Sequence, residues 1–573
     1  MKYKNILILI LIIVLAVYLR FWQLGTTPKG FYLDEAALGY NAWSILETGK
    51  DEFGKSWPML FRSFGDFKAP IYVYLLIPIY KILGMSVWST RLLSAIMGVI
   101  GIIFFYLLIK KISQSQKLAV LTTMLLVISP WHLIFCRTSY ETNVALSFLI
   151  ISLWCFYKSK EKRWWLIISG LMATLSFLSY HSERVIVPLI FLGLFLRHRK
   201  NLLEKKNIKY LLISVGLVIV VLLPTIKLFT SPGFLSRLNS LSILAKPTET
   251  LWNYNQKFDD KNNILFNNRY LLISRQFLSL YTSYFSPRYL FDLGDPGPRN
   301  SFPDLATFFG WQLPFLIIGI IFWIKNKDKK CKELLFLTAI LLLISPIPSS
   351  ITQDPYSSIR ALPMVMPWMI LVGLGMKQME EKFGGWVKVL YFGLIIWSLG
   401  RIYLSVFKFN DYYRFVAWNY GVEQLTNEIK KIDSNTPILI DTRAEPYSQF
   451  LFFTKTDPKT YQENNLEVDE KNYYTEMQRN KIKKIGNVTF RQIDWNNDLT
   501  KNQIIVGDNL TFGEEAIKEH CFSKIFEIKG LDNKTILFTG IKTNPMEKNR
   551  FNEIKKKFKI ESNDCWEINR KYF

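Results

Sequence analysis

Ile6–Leu19 reads ILILILIIVLAVYL, follows Lys2 and Lys4, and ends at Arg20-Phe21-Trp22-Gln23-Leu24. A run like this at the start of a chain is either a cleaved secretory leader or a retained membrane helix. The residues after it offer no small-residue cleavage site, and many further apolar runs follow, so it reads as a retained helix. Runs of about 15 to 22 apolar residues, long enough for a bilayer core, recur up to about residue 406. They lie at Ile6–Leu19, Trp88–Ile109, Leu118–Ile128, Val144–Phe156, Trp165–Leu178, Val185–Leu196, Leu211–Leu228, Leu313–Ile324, Leu334–Ile344, Leu362–Met376 and Val387–Val406. The shorter ones extend into their flanks. Ile71–Leu83 is apolar but short, and reads as lying along the surface.

Half of the 573 residues are hydrophobic, 15% are aromatic, and the formal charge is +25. In a soluble protein that charge would suggest nucleic acid. Here the cations collect in alternate loops: Lys110, Lys111 and Lys117; Lys158, Lys160, Lys162 and Arg163; Arg197, Arg199, Lys200, Lys205 and Lys206; Lys325, Lys327, Lys329, Lys330 and Lys332; Lys377, Lys382 and Lys388. The positive-inside rule explains this excess, so no nucleic-acid partner is expected. It puts the N-terminus inside and the region beyond the last span outside.

That region, 408–573, mixes a helical stretch, Leu425–Lys431, with strand-like runs at Pro437–Asp441, Gln449–Phe453 and Gln503–Val506. An extracytoplasmic α/β domain is expected. It has no Gly-rich phosphate loop, no GxGxxG and no paired-cysteine zinc pattern. Cys521 and Cys565 either form a disulfide or stay as two thiols.

The outer loops, mainly 23–87 and 230–311, carry the charged groups. Asp34-Glu35 opens a helical stretch; Asp34 either caps it or serves as a general base at the membrane surface. Beyond the pair lie Gly65-Asp66-Phe67-Lys68-Ala69-Pro70, Arg137–Glu141, Tyr180-His181-Ser182-Glu183-Arg184 and Gln353–Arg360, which includes Asp354. Each has a plain alternative. Lys and Arg at helix ends reach for headgroups, Glu141 pairs with Arg137 on one helical face, and His181 is a hydrogen-bonded structural residue. Repeated cations on one rim nevertheless suit a lipid phosphate. A lipid-linked sugar flippase or transporter would place polar groups at mid-span, where only small residues such as Ser152 and Ser169 occur. A non-catalytic membrane sensor would not need the acidic pair.

Asp34-Glu35 after the first span, Lys68-Ala69-Pro70, Arg91, Ser129-Pro130, Arg137–Glu141, Tyr180–Arg184 and Arg360 resemble bacterial glycosyltransferase family 39. That group is like the protein O-mannosyltransferases and aminoarabinose transferases of GT-C architecture. The resemblance covers Met1 to about Phe407. It implies a polytopic GT-C membrane domain, with the C-terminal region as the outer domain of many bacterial relatives. It implies inverting transfer of a hexose or pentose from a polyprenyl-phosphate donor to an acceptor hydroxyl on protein, lipid or glycan. Asp34 matches the base, Glu35 its partner and Glu141 a second acid. Lys68, Arg91, Arg137, Arg184 and Arg360 match phosphate-binding cations, and Tyr40, His181 and Asp354 line the pocket. Phe67 replaces an acid found in aminoarabinose transferases, which counts against a metal site and against lipid A as acceptor. No cofactor is indicated, and a divalent cation is left open. A Trp-Trp-Asp type motif after the last span is missing, which argues against an oligosaccharyltransferase. The stretches Ser286–Tyr289 and Asp295–Arg299 are expected to help shape the pocket.

Overall fold

Apolar runs in lipid must satisfy every backbone group internally, so they become helices. The computed structural model follows this rule. It describes residues 2–64, 66–228, 231, 242–244, 269–326, 331–441, 446–465, 472–474, 482–558 and 562–572. All eleven apolar runs fall on helices: α1 (Lys2–Phe21), α4 (Val87–Ser113), α5 (Gln116–Val127), α7 (Glu141–Lys158), α8 (Trp165–Ser179), α9 (Glu183–Leu202), α10 (Lys205–Leu222), and the helices Gln312–Lys325, Lys332–Ile344, Val365–Phe383 and Val387–Leu404. Among the described residues four helical segments are long and apolar enough to cross a membrane: Val87–Ser113, Lys205–Ile226, Lys332–Ile351 and Val387–Arg414. A fifth forms if α5 is counted with α6 (Pro130–Cys136), from which it is bent by 61°. Pro130 lacks the N–H that would continue α5, and the Ser129 hydroxyl caps α6 by accepting the His132 N–H. The protein is a polytopic α-helical membrane protein with a separate sheet region.

The chain divides into two compact units. Unit 1 holds residues 1–27 and 58–410, and unit 2 holds 28–57 and 411–573. Part of the outer loop 23–87 thus groups with the C-terminal region.

Unit 1 packs by small-residue contacts. Gly319 and Gly375 face each other across two helices, and a Cβ on either would run into the carbonyl of Leu371 or Phe315. The helix α3 (Pro70–Leu83) is more than a surface strip, because Tyr72, Val73 and Leu76 are fully buried. At one end of the unit, ion pairs join Lys111 to Glu161, Lys117 and Lys388 to Glu380, and Arg197 to Glu333. These are the loops that the charge pattern grouped together.

Unit 2 contains a six-stranded sheet in the order β4 (Lys483–Ile485), β5 (Val488–Phe490), β3 (Ile438–Ile440), β6 (Ile504–Gly507), β8 (Ile536–Lys542), β7 (Ser523–Lys529). β3 lies parallel to both neighbours, with Ile438 opposite Val488 on one side and Ile504 on the other. The other pairs are antiparallel. The expected strands at Pro437–Asp441 and Gln503–Val506 are present. Gln449–Phe453 is not a strand but lies inside the helix Tyr447–Thr454. Its residues from Tyr447 to Phe452 are all buried, with Phe31 on one side and Phe490 on another. A short run buried all round shows no helical period. Cys521 and Cys565 are disulfide-bonded.

Candidate functional site

In unit 2, α2 (Leu33–Thr48) carries the acidic pair. Tyr32, not Asp34, is the N-cap residue, and its N–H is accepted by Glu35 Oε2 at 3.2 Å. Glu35 is buried and Asp34 half-buried at the positive end of the helix. The partners that fix α2 come from far along the chain. Gln449 donates Nε2–H to the Phe31 carbonyl at 2.5 Å, and the Ser448 hydroxyl reaches the Leu33 carbonyl. At the other end Gln462 Nε2 meets Ser44 Oγ at 3.0 Å and the Asp51 carbonyl at 2.8 Å. Tyr40 is fully buried and donates to the Thr456 carbonyl at 3.0 Å, so it packs α2 in place.

Unit 1 carries the cations. The hairpin of β1 (Phe61–Ser63) and β2 (Asp66–Lys68) ends with Lys68 opposite Phe61. Gly65 lies outside the described residues. His181 Nε2 donates to the Phe67 carbonyl at 2.9 Å, so this side chain holds the strand that bears Lys68. Glu141 begins α7, and Arg184 follows Glu183 at the start of α9.

Two of the expected phosphate ligands are engaged elsewhere. Arg137 has no exposed surface, donates to the carbonyls of Leu19 (2.8 Å), Gln23 (3.4 Å) and Thr27 (2.9 Å), and lies over the Phe407 ring. Arg91, also fully buried, donates to the Leu24 carbonyl. Both satisfy carbonyls at and beyond the end of α1, which a helix end leaves without partners. Arg20, not singled out from sequence, belongs to the same group. Its guanidinium reaches the Val127 carbonyl and, at 3.0 Å, His132 Nδ1.

Arg360 is different. Its Nη1 meets Thr352 Oγ1 at 2.8 Å and Asp354 Oδ2 at 2.7 Å, and the Asp354 side chain is 61% exposed. The backbone before it is held at each step. Tyr284 Oη accepts from the Ser357 N–H, Asp295 Oδ2 accepts from the Ser358 N–H, Trp131 Nε1 donates to the Ser358 carbonyl, and Thr142 donates to the Ile359 carbonyl. The signal for this clamp in the sequence was only the Asp-Pro-Gly-Pro turn at 295–298.

Among the described residues no group of three or more His, Cys, Asp or Glu side chains is placed to hold a metal ion. Within unit 1 the structure joins Lys68 to His181 through β2, and Arg360 to Asp354. Asp34, Glu35 and Tyr40 share α2 in unit 2.

Residues 67–224 match the sequence model of a family described as dolichyl-phosphate-mannose-protein mannosyltransferase. No curated protein matches the chain. Among solved structures, ArnT from Cupriavidus metallidurans bound to undecaprenyl phosphate is similar in fold, with 12% identity over 93% of this chain and 97% of that one, at a TM-score of 0.50. The apo oligosaccharyltransferase of Archaeoglobus fulgidus gives 14% identity over 90% of this chain and 71% of that one, at 0.49. The resemblance read from the sequence is borne out: residues 67–224 carry the pattern of the dolichyl-phosphate-mannose-protein mannosyltransferase family, and the chain is similar in fold to a GT-C glycosyltransferase.

Proposed function

We propose that this protein is a membrane glycosyltransferase. It moves a sugar from a polyprenyl-phosphate donor to an acceptor hydroxyl at the outer face of the cytoplasmic membrane. The observation that carries this reading is the family match over 67–224, the stretch that holds Lys68, Arg91, Arg137, Glu141, His181 and Arg184. The orientation rests on the basic loops and on the Cys521–Cys565 disulfide, a bond that persists in oxidising compartments.

In the proposed reaction the acceptor oxygen attacks the anomeric carbon with inversion. The bond from that carbon to the phosphate oxygen breaks, and polyprenyl phosphate leaves with the electron pair. The hydroxyl proton passes to a carboxylate, for which Asp34 is the candidate. Glu35, whose carboxylate closes the first turn of α2, keeps that turn formed. Glu141 is the candidate second acid. Lys68, Arg184 and Arg360 would bind the phosphate and steady its growing charge. Arg91 and Arg137 act indirectly, by fixing the segment after α1. His181 acts by holding the Lys68 strand, Tyr40 by packing α2, and Asp354 as the exposed partner that a phosphate would displace from Arg360.

The test is transfer of radiolabelled sugar from polyprenyl-phosphate donors in membranes holding wild type or Asp34→Asn. Label that moves only with the wild type supports the reading, and the labelled product names the acceptor. Equal signals from both proteins would end the role of Asp34 as base.

A further inference from the structure

We infer that Asp295 is a positioning residue for donor binding, acting through the backbone of the Ser357–Arg360 segment. The inference rests on the phosphate role proposed for Arg360.

Asp295 is 5% exposed, yet neither of its oxygens meets a cation among the described contacts. Oδ1 accepts the Gly297 N–H at 2.7 Å, and Oδ2 accepts the Ser358 N–H at 2.6 Å. One carboxylate thus ties its own turn to a segment more than 60 residues downstream. Burial pushes its pKa up to about 6, and both oxygens face backbone N–H donors, the pattern of an accepting carboxylate. A second contact acts on the same residue: Tyr289 Oη lies 3.0 Å from Ser358 Oγ. Next to it, Tyr356 takes a left-handed φ of 58°, and its ring stacks on Tyr289 at 5.3 Å. A non-glycine residue holds that conformation only where its surroundings fix it. The segment is therefore set in one shape, and Arg360 leaves it with its Nη1 directed to Thr352 and to the exposed Asp354. An arginine on a fixed backbone loses less freedom when it grips a phosphate.

Replacing the carboxylate with an amide leaves one acceptor for two backbone donors. Asp295→Asn therefore frees one end of the tie while keeping side-chain volume. If the role runs through Arg360, the effect must vanish once Arg360 is gone. A residue that merely supports the fold would add its own loss.

The experiment is equilibrium binding of radiolabelled undecaprenyl phosphate to the purified full chain in detergent. It compares wild type, Arg360→Ala, Asp295→Asn, Tyr289→Phe and the double variants of Arg360→Ala with each of the other two. The expected result is about tenfold weaker binding for Asp295→Asn and about threefold for Tyr289→Phe. Neither double variant should bind more weakly than Arg360→Ala alone. Should Asp295→Asn not fold, the Tyr289→Phe cycle decides the matter. Unchanged binding in the single variants, or losses that multiply in the doubles, would overturn the positioning role and leave glycosyl transfer standing. A wild type that binds no undecaprenyl phosphate would overturn the phosphate reading and this inference together.

Discussion

The surroundings of α1 in unit 1 and of α2 in unit 2 bury charge in opposite ways. Around the end of α1 the fully buried Arg20, Arg91 and Arg137 are cations whose guanidinium donors meet backbone carbonyls. Beside α2 the buried acids Asp51 and Glu52 accept from N–H and O–H groups. Asp51 Oδ1 takes the amides of Phe53 and Lys55, Tyr473 donates to Asp51, and Asn41 donates to Glu52. Each region pairs these ions with whatever its backbone leaves over. Helix ends present spare carbonyls, which suit a guanidinium fork, whereas tight turns present spare amides, which suit a carboxylate. Burial alone therefore does not mark a functional charge. Arg137 and Arg360 were equal candidates in the sequence. The structure separates them, because one donates to three carbonyls and the other meets an exposed acid.

The sharpest way to break this contrast is at the first acid of the pair that opens α2. Asp34→Asn is expected to cut transfer by at least about 100-fold with unfolding temperature unchanged, since a positioned base contributes on that scale. Activity near normal would place Asp34 with the structural acids of unit 2. Exchange of the two arginines comes next. Arg137→Ala takes a donor from the Leu19 and Thr27 carbonyls and should cost roughly 3 kcal/mol of stability, with donor KM in the surviving protein little changed. Arg360→Ala should do the reverse and raise donor KM about tenfold at constant stability. Thermal unfolding and donor titration of both variants would show whether the pattern crosses. In unit 2, Gln462→Leu should cost about 2 kcal/mol by removing the amide shared among Ser44, Thr48 and the loop carbonyls, as read by heat-induced loss of soluble protein.

The smallest effect concerns pH. Asp498 is held down to about 2, first by its hydrogen bond with Arg491. Its folded pKa lies below the ordinary value of 3.8. Its contribution, roughly 2 kcal/mol, is therefore present above about pH 4 and lost as pH falls toward 2. Asp498→Asn should flatten unfolding temperature against pH in that window, and an unchanged slope would count against the pair.

The membrane part was largely legible because hydropathy is a local property. Each predicted run became a helix, and the short one at Ile71–Leu83 was misjudged only in how much of it is buried. The α/β region was less legible. Ile438–Ile440 and Ile504–Gly507 gave themselves away as β-branched runs bounded by polar residues. Gln449–Phe453 did not, because complete burial erases the period that tells a helix from a strand. The Asp34–Glu35 pair was visible, but Tyr32 as the cap and Glu35 as the carboxylate that closes the turn were not.

The sequence by itself determined that this is a polytopic membrane protein with cations collected in alternate loops and strand-forming runs after the last apolar stretch. Only the tertiary structure decided that residues 28–57 pack with 411–573, that Arg137 serves carbonyls, and that Asp295 ties down the backbone ahead of Arg360. The reason is the reach of the contacts. Hydropathy is written in about 20 neighbouring residues, whereas Gln449 finds Phe31 across 418 positions and Trp131 finds Ser358 across 227.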